Sequence, residues 1–110
     1  MTNNIIISNA ISINMLSDDC NLNLKKITSE EAIELISNSD NVTSIVGHVD
    51  TANVISEILK ISVKPNRVTW SWSNPTDILL VAQLTGQRLP EGATTLPEGA
   101  TLTWWVINKN

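Results

Sequence analysis

The sequence predicts one small α+β domain, strands interspersed with two helices, and three observations carry the prediction. Short β-branched or alternating apolar runs recur along the chain, as strands require. Two segments place apolar residues at helical spacing behind residues that start helices. The length, 110 residues with 42% hydrophobic and 16% charged, suffices for one core but not two, so residues 1–110 are read as a single domain.

Taken in order, Ile5-Ile6-Ile7 is a β-branched run suited to a buried strand. After Ser8-Asn9-Ala10, the alternation of Ile11, Ser12, Ile13 and Asn14 puts Ser12 and Asn14 on one face. Asp18, Asp19 and Asn21 mark a loop, and residues 22–27 form a second strand. Thr28 and Glu31 have the spacing of a capping box, so a helix follows with Ala32, Leu35 and Ile36 turned inward, fading by Asp40. Residues 42–46 read as a strand ended by Gly47-His48. Asp50 or Thr51 then caps a second helix over residues 52–60, with Val54, Ile55, Ile58 and Leu59 on its inner face. Val68, Trp70 and Trp72 alternate with polar neighbours and predict a further strand. Residues 78–84 are apolar except Gln83 and suit a central strand better than a helix turn, and residues 102–107 form the last strand.

One stretch repeats. Leu89-Pro90-Glu91-Gly92-Ala93-Thr94 recurs as Leu96-Pro97-Glu98-Gly99-Ala100-Thr101. Two copies make no solenoid, and Pro with Gly in each predicts two successive turns.

Composition excludes several function classes. Net charge is −4, with seven basic residues, so long DNA or RNA is not an expected partner; a small anion held by a few donors remains open. The lone Cys20 cannot form an internal disulfide and fits a reducing, cytoplasmic setting. No apolar run reaches the ~20 residues that span a bilayer, and the first residues lack the basic front of a signal peptide, so no membrane partner is expected. The four tryptophans want burial, and a small domain gains by covering more apolar area.

Candidate chemistry is sparse. The only histidine, His48, follows a predicted strand and precedes a predicted helix, where free amides and the helix dipole attract anions. An imidazole there can transfer a proton near neutral pH, or it can simply pack or cap. The only arginines, Arg67 and Arg88, sit at strand edges; their forks suit phosphate, and they also suit plain solvation. Glu91, three residues after Arg88, can orient a hydroxyl or pair with that guanidinium. Ser12 and Asn14 can contact a ligand or satisfy a turn. No glycine-rich phosphate loop and no metal-ligand spacing is present, so neither a metal nor a cofactor is expected.

Four segments in order acquire weight together: Ser8-Asn9-Ala10-Ile11-Ser12-Ile13-Asn14-Met15-Leu16, Thr43-Ser44-Ile45-Val46-Gly47-His48, Asn66-Arg67-Val68 and Gln87-Arg88-Leu89-Pro90-Glu91-Gly92. The set resembles the viral type III anti-CRISPR ring nucleases, small proteins of archaeal viruses and phages with relatives in mobile elements. The resemblance runs from about residue 4 to residue 107. It implies a mixed sheet with two helices packed on it, and a two-fold homodimer that binds cyclic tetra-adenylate across its axis. It further implies metal-independent cleavage, in which a ribose 2′-hydroxyl of the ligand attacks the adjacent phosphate in line. His48, Arg88 and Glu91 match the catalytic positions. Asn9, Ser12, Asn14, Arg67 and Gln87 match ligand contacts. Two arginines per chain give four in a dimer, against four phosphates in the ring. The chain departs from the family between the Arg-Glu segment and the last strand, where the short repeat stands in place of a helix or longer loop. Two alternatives stay open: a sponge or sensor that binds the ring without cutting it, and a protein-interaction module of a mobile element that uses its tryptophans as a surface.

Overall fold

The apolar run that begins at Ile78 is the backbone of the molecule. In the computed structural model, which describes residues 4–86 and 88–109, it becomes β4 (Ile78–Gly86) inside a five-stranded sheet. The other strands are β1 (Asn4–Ser8), β2 (Leu22–Ile27), β3 (Asn41–Ser44) and β5 (Ala100–Lys109). Their order across the sheet is β2-β5-β4-β1-β3. β1 runs parallel to both β3 and β4, while β5 is antiparallel to β4 and to β2, so the sheet is mixed.

Leu79, Leu80, Val81 and Ala82 are all buried, because both faces of the sheet are covered. On one face lie α1 (Ser29–Ser37) and α2 (Val49–Leu59), whose Ala32, Ile36, Ala52, Ile55 and Leu59 pack with Ile5, Ile7, Leu80, Ala82 and Trp104. The opposite face, Ile6, Leu79, Val81 and Ile107, is covered by loop chain and a 3₁₀ turn bearing Met15, Leu16, Trp70 and Trp72.

Local signals explain most of these elements. The capping box of α1 is complete: Thr28 Oγ1 accepts from the Glu31 N–H and the Glu31 carboxylate accepts from the Thr28 N–H, both at 3.1 Å. Both copies of the repeat turn alike. Ala93 N–H donates to Pro90 O and Ala100 N–H to Pro97 O, each at 3.1 Å, with Gly92 at φ 78° and Gly99 at φ 86°. A positive φ at the third residue is what a type II turn demands, and glycine meets it without strain.

Three expectations are corrected. Residues 68–73 form no strand. They cover the second face through Trp70 and Trp72, turn at Trp72 where the Ser73 N–H donates to Ser71 O at 2.9 Å, and are tied by the Trp72 N–H to Met15 O at 2.7 Å and by Lys109 Nζ to Trp72 O at 3.2 Å. Residues 11–14 do not alternate as a strand: Ile13–Met15 is a 3₁₀ turn, and Ser12 Oγ caps it by accepting from the Asn14 N–H at 3.2 Å. Helix α2 starts at Val49, before Asp50 and Thr51, so His48 is its N-cap, and no side chain makes the cap bond. The tryptophans are also less available than their number suggested. Trp72 and Trp104 are buried within the chain, and Trp70 and Trp105 pack partly against the second core.

Candidate functional site

The three parallel strands end on one edge of the sheet, and their following loops meet there. Crevices at the carboxyl ends of parallel strands are the usual ligand positions of such sheets. Here the crevice is a cavity of about 360 Å³ lined by Asn9, Ala10, His48, Asp50, Thr51, Gln83, Leu84, Arg88 and Leu89. Asn9 and Ala10 follow β1, His48 follows β3, Gln83 and Leu84 belong to β4, and Arg88 and Leu89 lie just beyond it.

Each loop is shaped by short-range bonds. At the end of β1 the buried Ser8 hydroxyl donates to Ala10 O at 2.6 Å and accepts from the Ala10 N–H at 3.2 Å, folding Asn9 over the cavity. At the end of β3 the chain reaches His48 through buried Ile45 and Val46. The next segment is pinned beside them: Ser44 Oγ donates to Lys64 O at 2.6 Å, Asn66 Nδ2 donates to Ser44 O at 2.9 Å and the Asn66 N–H donates to Val46 O at 2.8 Å. Those bonds bring the Arg67 side chain over Gly47, where a Cβ would meet its Cγ and Nε at 3.9 Å. Arg67 thus neighbours the residue before His48 without lining the cavity.

At the end of β4 the first turn of the repeat leans onto α2. The Gly92 N–H donates to Asp50 Oδ1 at 3.0 Å, a contact across 42 residues of sequence. Glu91 stands exposed on that turn, beside the cavity but outside its lining. Among the described residues, Arg67, Arg88 and Glu91 have no ion-pair or hydrogen-bond partner for their side chains, so Glu91 does not neutralise Arg88.

The sequence-derived residues therefore separate into groups. Asn9, His48 and Arg88 share one cavity. Arg67 and Glu91 flank it. Ser12 and Asn14 line a second cavity of about 210 Å³ with Met15, Ile45, Val68, Thr69 and Trp70. Gln87 lies outside the described residues. Asp50, Thr51, Gln83 and Leu89 line the main cavity and were missed as site residues. The capping signal at Asp50 and Thr51 marked only a helix start, and nothing in sequence joins Asp50 to Gly92.

Chemically, the cavity offers an imidazole, a guanidinium, amide side chains, the Asp50 carboxylate held by the Gly92 N–H, and the N-terminus of an 11-residue helix with no side-chain cap. Such a set suits an anion whose surroundings include hydroxyls. Among the described residues no group of three or more His, Cys, Asp or Glu is placed to hold a metal ion, and no helix is long and apolar enough to cross a membrane.

A search of curated proteins finds no match to this chain. Among solved structures it is similar to B116 of Sulfolobus turreted icosahedral virus, with a TM-score of 0.74 and 23% identity, over 94% of this chain and 97% of that one. That likeness establishes the fold. The family model described as STIV B116-like matches residues 5–102, which contain all four of the segments that carried the viral resemblance. The chain belongs to the STIV B116-like family.

Proposed function

We propose that this protein is a ring nuclease: it binds cyclic tetra-adenylate and cleaves it, silencing the second messenger of type III CRISPR defence. The observation that supports this best is the meeting of Asn9, His48 and Arg88, from three separate loops, in one cavity at the carboxyl edge of the sheet.

The reaction needs no nucleophile from the protein. The 2′-oxygen of one ribose bonds to the adjacent phosphorus while the bond from phosphorus to the 5′-oxygen breaks. One proton leaves the 2′-hydroxyl and one reaches the 5′-oxygen, so the ring opens to a linear adenylate ending in a 2′,3′-cyclic phosphate with no water added. In-line positioning of the two groups contributes as much as roughly 7–11 kcal/mol in ideal cases. Arg88 stabilises charge on the phosphoryl oxygens. His48 donates to the departing oxygen, a role worth about 10²–10⁴-fold. Arg67 and Asn9 hold the ligand, and Glu91 acts from the turn over the cavity.

The working unit in this reading is a homodimer. Ile11, Ile13, Val49 and Val68 are exposed, and each lies beside a proposed site residue or one removed from it. A second copy covering them removes apolar surface from water, and a two-fold ligand is matched by a two-fold site. Light scattering checks this; a monomer with and without ligand would refute the dimer.

The decisive experiment is incubation with cyclic tetra-adenylate in excess EDTA, followed by resolution of the products. Cleavage to linear adenylates supports the proposal. Binding without cleavage makes the protein a sponge, and neither outcome leaves an interaction module. A strict need for added Mg²⁺ or Mn²⁺ would overturn the metal-independent step.

A further inference from the structure

We infer that Asp50 is a positioning residue of this site: it latches the first turn of the repeat across the cavity and so fixes where Arg88 and Glu91 stand. The inference rests on the ring-nuclease reading for its consequence in catalysis, but not for the latch itself.

Four observations carry it. Asp50 lies in the first turn of α2, directly after the His48-Val49 pair, and it lines the same cavity as His48 and Arg88. Its Oδ1 accepts from the Gly92 N–H at 3.0 Å, from an element 42 residues away. Gly92 is at φ 78° within the Pro90–Ala93 turn, closed by the Ala93 N–H to Pro90 O. The second copy of the repeat needs no such tether, because Ala100 passes straight into β5.

The physical consequence follows from connectivity. Arg88 is exposed and lies two residues beyond the end of β4, in a connection to β5 without regular structure. Among the described residues its guanidinium has no partner, and Glu91 has none either. What locates both is the pair of anchors on either side of them: Gly86, fixed in the sheet opposite Ala100, and Gly92, fixed on Asp50. A charged acceptor makes this the stronger sort of hydrogen bond. A carboxylate in a pocket for phosphate is otherwise counterproductive, since it repels the ligand, and engagement with an N–H explains its presence.

The role asks for an acceptor at that point, not for a base. Asn can supply the same oxygen, while Ala cannot. The test uses the full chain and three proteins: wild type, Asp50→Asn and Asp50→Ala. Amide hydrogen exchange in the free protein should show Gly92 exchanging at least about tenfold faster in Asp50→Ala, with near wild-type protection in Asp50→Asn. Gly99, in the same local sequence, serves as the internal control and should not change. Single-turnover cleavage of cyclic tetra-adenylate should be at least about tenfold slower in Asp50→Ala, with ligand affinity unchanged or tighter, and restored within a few-fold in Asp50→Asn.

Unchanged Gly92 exchange in Asp50→Ala would overturn the latch whatever the wild type does to the ring. Cleavage lost equally in Asp50→Asn, with Gly92 still protected, would overturn the positioning role and make the carboxylate part of the chemistry. A wild type inert toward the ring would overturn the ring-nuclease reading and with it the catalytic consequence, while exchange at Gly92 would still decide the latch. A melting curve for each variant separates these results from loss of fold.

Discussion

Gly86 closes β4 immediately before the segment that carries Arg88, and replacing it with alanine tests the geometry of that junction. Two costs add there. The residue sits at φ 89°, and an L side chain in left-handed backbone costs about 1–2 kcal/mol. A Cβ would also lie 2.0 Å from the Gly99 carbonyl oxygen and 3.1 Å from its carbon, both of them backbone atoms that no rotamer change can move aside. The ends of β4 and β5 must therefore part, losing one or two ladder hydrogen bonds at about 0.5–1.5 kcal/mol each. Gly86→Ala should accordingly cost about 1.5–5 kcal/mol. Gly92→Ala is the control: it has φ 78° but nothing within 4 Å of its added Cβ, so it bears only the conformational cost of about 1–2 kcal/mol. Urea unfolding at matched protein concentration reads the difference as a shift in midpoint at constant slope. Gly86→Ala should also slow cleavage, since parting of the strand ends displaces Arg88. Equal destabilisation of the two variants would refute the reasoning, because it would mean that the contact with Gly99 is relieved at no cost.

Three further outcomes follow from the same geometry. His48→Ala should bind the ring nearly as well as wild type yet lose about 10²–10⁴-fold in cleavage; equal losses in affinity and rate, measured by isothermal titration and single turnover, would make His48 a ligand contact only. Glu91→Ala should slow cleavage at least roughly tenfold, about 1.4 kcal/mol in the barrier, while Glu98→Ala stays near wild type. The two residues share their local sequence, but only the turn bearing Glu91 is tethered beside the cavity, and a larger effect at Glu98 would place the site at the wrong copy. Lys60, the C-cap of α2, sits at φ 59°, so Lys60→Gly should stabilise the fold by about 1 kcal/mol; a lower melting temperature would refute it.

How much of this could be read from sequence depended on the range of the interaction that fixes each feature. The capping box, the two glycine turns and the largely apolar β4 are local or one-strand signals, and all are present as expected. The segment around Trp70 misled for a physical reason. Alternation reports a chain with one buried face, and only the far end of this segment has one: Trp72 is 1% exposed under the second face of the sheet, while Val68 is 53% exposed. Alternation says nothing about whether a neighbouring strand supplies hydrogen bonds, and here Met15 O and Lys109 do so one at a time. The candidate site was legible as residue types beside strand ends. That Asn9, His48 and Arg88 face one cavity depends on β1 lying between β3 and β4, an order that periodicity cannot give. Asp50 was invisible as a site residue because its partner lies 42 positions away and contributes only a backbone N–H.

Net charge and local field are separate quantities, and their difference bears on what this protein should bind. The chain carries −4 overall, with carboxylates along the loop before β2, along α1 and near the end of α2, but Asp50 and Glu91 stand with both arginines at or beside the carboxyl edge of the sheet, so the edge is locally close to neutral rather than acidic. At physiological salt, exposed charges act over only about 8 Å. A small ring seated at that edge therefore feels the two arginines, offset by Asp50 and Glu91, and little of the remaining negative charge. A long polyanion cannot confine itself so: its remaining phosphates must run past acidic surface with few basic residues to replace the released counterions. Its affinity should thus gain little from length, the opposite of what a basic nucleic-acid binder shows. Competition measures this directly. Excess long poly-adenylate, matched in total phosphate, should leave binding of cyclic tetra-adenylate unchanged at 0.15 M salt. Displacement of the ring by the long chain would show that a continuous basic track exists across the assembled protein, and that the two arginines at this edge are not what selects the ligand.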